Sequence, residues 1–449
     1  MPENGEVRPV IFKHQGSWKC INHKELTMGK TITEKILARA GEKKEVSPGD
    51  YVFLTSPCPV PGIGRGGPPI EAMGAKFFDP NMAIMMDDHA GDGGFGGVME
   101  TEEMRARMLK RAKALGIPRS NVFINKGIGH LLAAENCWAL PGTVYLSITN
   151  GHSTTLGGIG ALALTLSYES TAYMILGRTW LRVPESIKIV LNGKLQDGVM
   201  SRDISDFFLG QIGPAGACYK VLEWTGPVID AMSMDGRFAI CNDALHAGGK
   251  TGIVPPDRKT IDYVKARTDK PFEPLVSDPD ATYAKIYTYD VTGLEPQVVE
   301  PPKRWTVKPV TAYSDIKINR AFIGTCFNSR IDDMRIAAKV LKGKKIHPDV
   351  RLSVTPGSLE VLKQASREGL VEIFADAECE MPLPCCGMCG GFITPLVAGD
   401  VCIGTGTCNY PARSGHHDAQ IYLGNPATVA ASAIEGKITD PRKYLRGKK

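Results

Sequence analysis

The stretch that most constrains this chain is residues 381–392, Met-Pro-Leu-Pro-Cys-Cys-Gly-Met-Cys-Gly-Gly-Phe. Cys386 and Cys389 form a C-x-x-C pair among glycines and prolines, where the backbone can wrap closely around an inorganic centre. Cys326 lies far upstream, in Ile-Gly-Thr-Cys-Phe-Asn-Ser-Arg. Two close thiolates and one distant thiolate could hold three irons of a [4Fe-4S] cluster and leave the fourth open as a Lewis acid. A zinc site, a redox dithiol and ordinary buried thiols share the C-x-x-C spacing, so the pair has to be read in its surroundings.

A chain of 449 residues exceeds what one hydrophobic core organises, which predicts two or three subdomains. With 43% hydrophobic and 22% charged residues it reads as an ordinary globular protein. The net charge of +5 is small, and only Arg442 to Lys449 gathers basic residues, as a solvated tail; no nucleic-acid partner is expected. The amino terminus carries Glu3, Glu6 and Lys13 and no continuous apolar run, so it does not read as a signal peptide. No window reaches the length of a membrane span. Twelve cysteines are scattered rather than framed for disulfides, which points to reduced thiols and a cytoplasmic location.

Along the chain, residues 1–27 read as an added N-terminal arm. Thr31 caps an amphipathic helix with Glu34 three residues on, and Tyr51-Val-Phe-Leu-Thr reads as a strand. A short apolar run, Met82 to Met86, delivers Asp87-Asp88-His89 into a glycine-rich loop, where open α/β sheets place ligands. Thr101 to Leu115 has the period of a surface helix. Two further strands lead to His130 and His152, so three strands end in three histidines. The run Gly157-Gly-Ile-Gly, ahead of an expected helix at Ala161-Leu-Ala-Leu, lacks dinucleotide-loop spacing and reads as close packing. Strands at Ile187 to Leu191 and Val221 onward, with helices at Asp203 to Ile212 and from Met234, suggest a second unit. The proline-rich, charged stretch 255–312 reads as a linker. A strand ending at Cys326, a helix at Ile331 to Leu341 and a strand at Arg351 then open a third unit. His416-His417-Asp418 reads as a solvated loop rather than a metal site.

Together, Gly-Thr-Cys326-Phe-Asn-Ser, Cys386-Gly-Met-Cys389, Asp88-His89, Gly-Ile-Gly-His130 and His152-Ser-Thr resemble the motifs of the aconitase superfamily. Arg335-Ile-Ala-Ala-Lys-Val-Leu-Lys-Gly, Ile346-His-Pro-Asp-Val-Arg-Leu and Asn425-Pro-Ala-Thr-Val-Ala-Ala-Ser narrow the resemblance to the 3-isopropylmalate dehydratase large-subunit type, over about Met28 to Leu445. The resemblance implies an α/β fold of three α/β/α subdomains, here 28–185, 186–312 with its linker, and 313–449, without the family's swivelling fourth domain. It implies a [4Fe-4S] cluster on Cys326, Cys386 and Cys389 with one iron not ligated by cysteine. Asp88, His89, His130 and His152 inherit the handling of protons and of the leaving hydroxyl. The swivelling domain, with its serine base, is expected as a separate small subunit, making the enzyme a heteromer. The implied activity is a hydro-lyase acting on a small hydroxyacid.

Three substrate-contact positions depart from the family pattern. Asn150-Gly-His152-Ser stands where the family has Asp-Ser-His-Thr, which removes a carboxylate that would polarise the histidine. In Asn242-Asp-Ala-Leu-His246 a histidine replaces an expected glutamate. Cys408 replaces one of two arginines expected to clamp substrate carboxylates, while Arg413 remains. Asn150, Asn242, His246, Cys408 and Arg413 are thus the expected substrate contacts, and the substrate is expected to carry fewer or differently placed anionic groups than isopropylmalate or citrate. Two other readings are an electron-handling or noncatalytic protein whose cluster is closed by a fourth thiolate, Cys385 or Cys408, and an open-iron enzyme acting on a sulfur species.

Overall fold

The computed structural model describes residues 10–14, 17–21, 29–55, 60–61, 70, 73–87, 101–147, 151–391 and 393–445. Within the segment expected as an arm, Val10–His14 and Ser17–Ile21 pair as an antiparallel ladder. The first unit then begins at the helix Ile32–Ala40, whose Thr31 hydroxyl accepts from the Glu34 N–H while the Glu34 carboxylate accepts from the Thr31 N–H. This reciprocal cap satisfies two of the donors that a helix start leaves unpaired. Tyr51–Leu54 pairs antiparallel with Thr179–Arg182. Ala83–Met86 runs parallel to Val122–Phe123, and Val144–Ser147 runs parallel to Leu162–Thr165.

The segment at Leu162–Thr165 is therefore a strand, where a helix was expected. Four apolar residues cannot separate the two states by period alone, and here the ladder to Val144–Ser147 decides. The glycines before it do serve close packing. A Cβ on Gly157 would lie 1.7 Å from the Gly252 carbonyl oxygen, and one on Gly158 would lie 2.8 Å from the Phe238 nitrogen. Only glycine lets the turn Gly151–Ile159 sit this tightly on the helix Met234–Asn242.

The second unit is a parallel four-stranded sheet in the order Thr251–Ile253, Val221–Thr225, Ser186–Asn192, Lys285–Asp290. The third is a six-stranded sheet in the order Val307–Pro309, Gln297–Val299, Gln420–Leu423, Val401–Gly404, Arg320–Ile323, Arg351–Val354. Its last four strands are mutually parallel and its first two antiparallel. The stretch 255–312 is thus no linker: it supplies the helix Arg258–Lys265, the edge strand of the four-stranded sheet and two strands of the six-stranded sheet. Prolines are compatible with this because they fall between elements or on an edge strand. No helix among the described residues is long and apolar enough to cross a membrane.

Beneath the six-stranded sheet, Ile323, Met334, Val354, Ile403 and Ala430 share one buried core. The strands Arg320–Ile323, Arg351–Val354 and Val401–Gly404 lie side by side and parallel, so the residues just past their carboxyl ends gather on one rim. Those residues are Thr325-Cys326, Thr355 and Thr405 to Cys408. A crevice at the carboxyl ends of adjacent parallel strands is where open α/β sheets bind ligands.

Candidate active site

Cys326, Cys386 and Cys389 are buried, at 3%, 2% and 5% exposure. Cys326 follows Thr325, which holds a positive φ of 75° and is fastened there by its hydroxyl donating to the Thr405 carbonyl at 2.9 Å. Cys386 precedes Gly387, whose φ of +57° and approach to Thr355 suit a residue without a Cβ. Around the sulfurs are donors. Asn242 Nδ2 lies 3.4 Å from Cys326 Sγ, and Arg413 Nη2 lies 3.2 Å from Cys389 Sγ, with Thr407 Oγ1 at 3.6 Å. A guanidinium and an amide N–H thus face buried sulfur as hydrogen-bond donors.

Other polar atoms beside these cysteines are buried without a protein partner: Asn242 Oδ1, Thr355 Oγ1 and Arg413 Nε. Among the described residues, only His416, His417 and Asp418 gather three possible ligand atoms within 4.8 Å, and they are exposed. Three buried thiols, two of them within reach of donors, suit a metal centre. Cys385 turns its sulfur back into its own loop, where it accepts from the Gly387 N–H at 3.2 Å.

Three imidazoles stand in a row beside this centre. The ring centroids of His130 and His152 are 6.4 Å apart, and those of His152 and His246 are 5.3 Å apart. His130 sits in the first turn of the helix Gly129–Glu135 and is 4% exposed. His152 Nδ1 lies 3.3 Å from the Asn242 carbonyl oxygen, which the Thr154 hydroxyl also reaches at 3.1 Å. Burial, reinforced by the charges of His246 and His130, holds His152 well below its usual range, so it is neutral at pH 7.

His246 goes the other way. Burial pushes it down, but the hydrogen bonds to Asp243 and Cys408 and the Asp243 charge lift it to about 9. Its Nδ1 is 2.7 Å from Asp243 Oδ1 and its Nε2 is 3.4 Å from Cys408 Sγ. The two residues that replace the expected glutamate and arginine, 162 positions apart in sequence, therefore touch. Burial raises the Cys408 thiol, but its hydrogen bond to His246 and the charges of His246 and Arg413 bring it down to about 7.

Beneath His246 is a charged network that sequence reading missed. Arg304 Nη2 contacts Asp206 at 2.5 Å and both Asp243 oxygens at 2.9 and 3.0 Å, while its Nε donates to the Thr407 carbonyl. Arg202, fully buried, reaches Asp206 at 3.2 Å, Asn328 at 3.1 Å and the Gly406 carbonyl at 2.7 Å. Burial alone would raise the Asp243 carboxyl, but Arg304 and His246 hold it well below the usual carboxylate range. Arg304 was hidden because it lies in the stretch read as a linker. Asp243 could have been noticed from its position three residues before His246, a spacing that lets the two side chains meet on one helical turn.

Of the residues expected to act at the site, Cys326, Cys386, Cys389, His130, His152, Asn242, His246, Cys408 and Arg413 are described. Asp88, His89 and Asn150 lie outside the described residues.

The profile of the aconitase family (aconitate hydratase) matches residues 72–312 and 302–436. The chain is 39% identical over 447 residues to the 3-isopropylmalate dehydratase large subunit of Aquifex aeolicus, covering 93% of this chain and 98% of that one. It is 38% identical over 430 residues to the protein of the same description from Halothermothrix orenii, covering 93% and 100%. The holo-form structure of Thermococcus kodakaraensis aconitase X is similar with a TM-score of 0.43 and 14% identity, over 78% of this chain and 83% of that one. The chain belongs to the aconitase family and, within it, to the type of the 3-isopropylmalate dehydratase large subunits.

Proposed function

We propose that this chain is the large, catalytic subunit of a [4Fe-4S]-dependent hydro-lyase that removes or adds water on a small hydroxyacid. The family implies the cluster, and the thiols of Cys326, Cys386 and Cys389, with donors on two of them, suit its ligation. One iron is left without a cysteine. When bound, that cluster supplies a Lewis acid, which offsets the negative charge developing on a departing hydroxyl.

The observation that carries the reading is the split protonation of neighbouring imidazoles beside these thiols. His152 is neutral and can take a proton; His246 is charged and can donate one, and the ring centroids are 5.3 Å apart. Groups whose surroundings push them to opposite states are the natural acid and base of one site. His152 is the residue we assign to proton transfer, with His130, His89 and Asp88 around it. Asn242 keeps a buried amide oxygen for a substrate hydroxyl, and Arg413, already partly engaged with Cys389 and Tyr410, keeps its Nε for an anionic group. Asn150 completes the contacts.

The substrate in this proposal is neither isopropylmalate nor citrate. Cys408 provides no fixed positive charge where an arginine fork would, so one carboxylate contact is gone. The relatives are described as large subunits, and the proposed assembly includes a separate small subunit that closes the site. A cytoplasmic location goes with a thiolate-held cluster, which needs a reducing compartment.

The test uses the chain produced together with its small subunit and assayed anaerobically against small hydroxyacids, following the ultraviolet absorbance of the new double bond. His152→Gln is expected to lower kcat by about 10²–10⁴ while iron content is unchanged. Turnover of no hydroxyacid in the panel, or full turnover by the variant, contradicts the assignment.

A further inference from the structure

Cys408, His246 and Asp243 form a chain of three side chains: sulfur to Nε2 at 3.4 Å, and Nδ1 to carboxylate at 2.7 Å. This is the arrangement that activates a nucleophile, a thiol beside a base that is itself oriented by an acid. The acid is fixed in turn. Asp243 is clamped through both oxygens by Arg304, whose Nε is anchored to the Thr407 carbonyl, next to Cys408 itself. Asp243 is 4% exposed, whereas Cys408 is only partly buried and so reachable.

The charges around the pair favour thiolate over thiol. His246 and Arg413 face Cys408 with positive charge, and the Thr407 hydroxyl reaches its sulfur at 3.8 Å. His246 is faced by Asp243 on one side, by Arg304 behind it and by the neutral His152 ring. The thiol comes down to about 7 and the imidazole rises to about 9, so at neutral pH the imidazole is protonated and a substantial share of the thiol, about half, is ionised. Other thiols in the same chain move the opposite way: desolvation pushes the buried Cys402 and the partly buried Cys379 up to about 12.

We propose that Cys408 is an activated nucleophile that adds covalently to small alkenes conjugated to a carbonyl group. The sulfur lone pair forms a bond to the β-carbon, the π pair moves to the α-carbon, and His246 Nε2 delivers its proton there. Atoms and charges balance without an oxidant or reductant. The site needs only these three side chains and does not depend on the dehydration reading. If that reading holds, the unsaturated acid left by dehydration is an alkene of this class formed within the same pocket.

Acrylamide is the probe, applied anaerobically to the cluster-loaded protein, with adducts mapped by peptide mass spectrometry at pH values from about 5.5 to 9. The exposed Cys218 serves as internal reference. Cys408 is expected to label about tenfold faster than Cys218 at pH 6.5, with its rate half-maximal near pH 7. His246→Gln, checked for retained fold by near-ultraviolet circular dichroism, is expected to lower the Cys408 rate about tenfold at that pH. A Cys408 rate that follows an ordinary thiol, half-maximal near about pH 8.5, or that falls below that of Cys218 at pH 6.5, overturns the proposal. Those two outcomes are read on the unaltered protein, so the test survives a variant that fails to fold.

Discussion

Replacing Arg304 with leucine is expected to destabilise the fold by about 3–5 kcal/mol, read as a lowered denaturant midpoint with an unchanged slope. Arg304 is the shared cation of two carboxylates, Asp206 and Asp243, both almost fully buried. Leucine would leave His246 as the partner of Asp243, at 2.7 Å, and Arg202 as that of Asp206, at 3.2 Å. Each buried carboxylate would lose charge-assisted hydrogen bonds that water cannot reach to replace, and removing one partner from a buried ionic network costs far more than the intact pair contributes. Arg304→Lys should fall between, since one ammonium cannot serve Asp206, Asp243 and the Thr407 carbonyl with the geometry of a guanidinium. A loss below about 1 kcal/mol for the leucine variant, the size typical of a surface pair, would mean that the network is hydrated and the buried account wrong.

The second large effect is on the metal centre. Cys326→Ser and Cys389→Ser are each expected to abolish the cluster after anaerobic reconstitution, with iron, acid-labile sulfide and visible absorption all falling to background. Each substitution removes a proposed ligand whose sulfur faces a hydrogen-bond donor, Asn242 for Cys326 and Arg413 for Cys389. Serine offers a hard alkoxide that ionises far less readily in the same place. Cys218→Ser and Cys402→Ala are the controls and should keep their iron, since Cys218 is exposed and Cys402 is buried within the strand Val401–Gly404. Retention of full iron by Cys326→Ser would remove that residue from the ligand set.

Much of this was legible in the residues because it rests on local patterns. The Thr31 to Glu34 cap, the strand before Cys326 and the helix Ile331–Leu341 all follow from propensity and period, and all are present. What escaped depends on contacts far apart in sequence. Arg304 carries no motif, and its role comes from a fold that brings the stretch 255–312 against the Asn242 turn. Proline content suggested a linker there, yet proline is equally at home on edge strands and in turns between them. Leu162–Thr165 was misread for a related reason, since its identity comes from pairing with Val144–Ser147 rather than from its own four residues. The contact between His246 and Cys408 also lay beyond any sequence window. Each looked like a separate departure from a family motif, and only the fold shows that one answers the other.

The proposed centre is a cluster held by three cysteines with one iron left for substrate. Mössbauer spectroscopy of isotopically labelled iron, recorded anaerobically with and without the hydroxyacids that the enzyme turns over, tests it most directly. The expected result is one iron distinguishable from the other three, whose isomer shift moves when the hydroxyacid is added. Four equivalent thiolate-ligated irons, unmoved by any hydroxyacid, would contradict it.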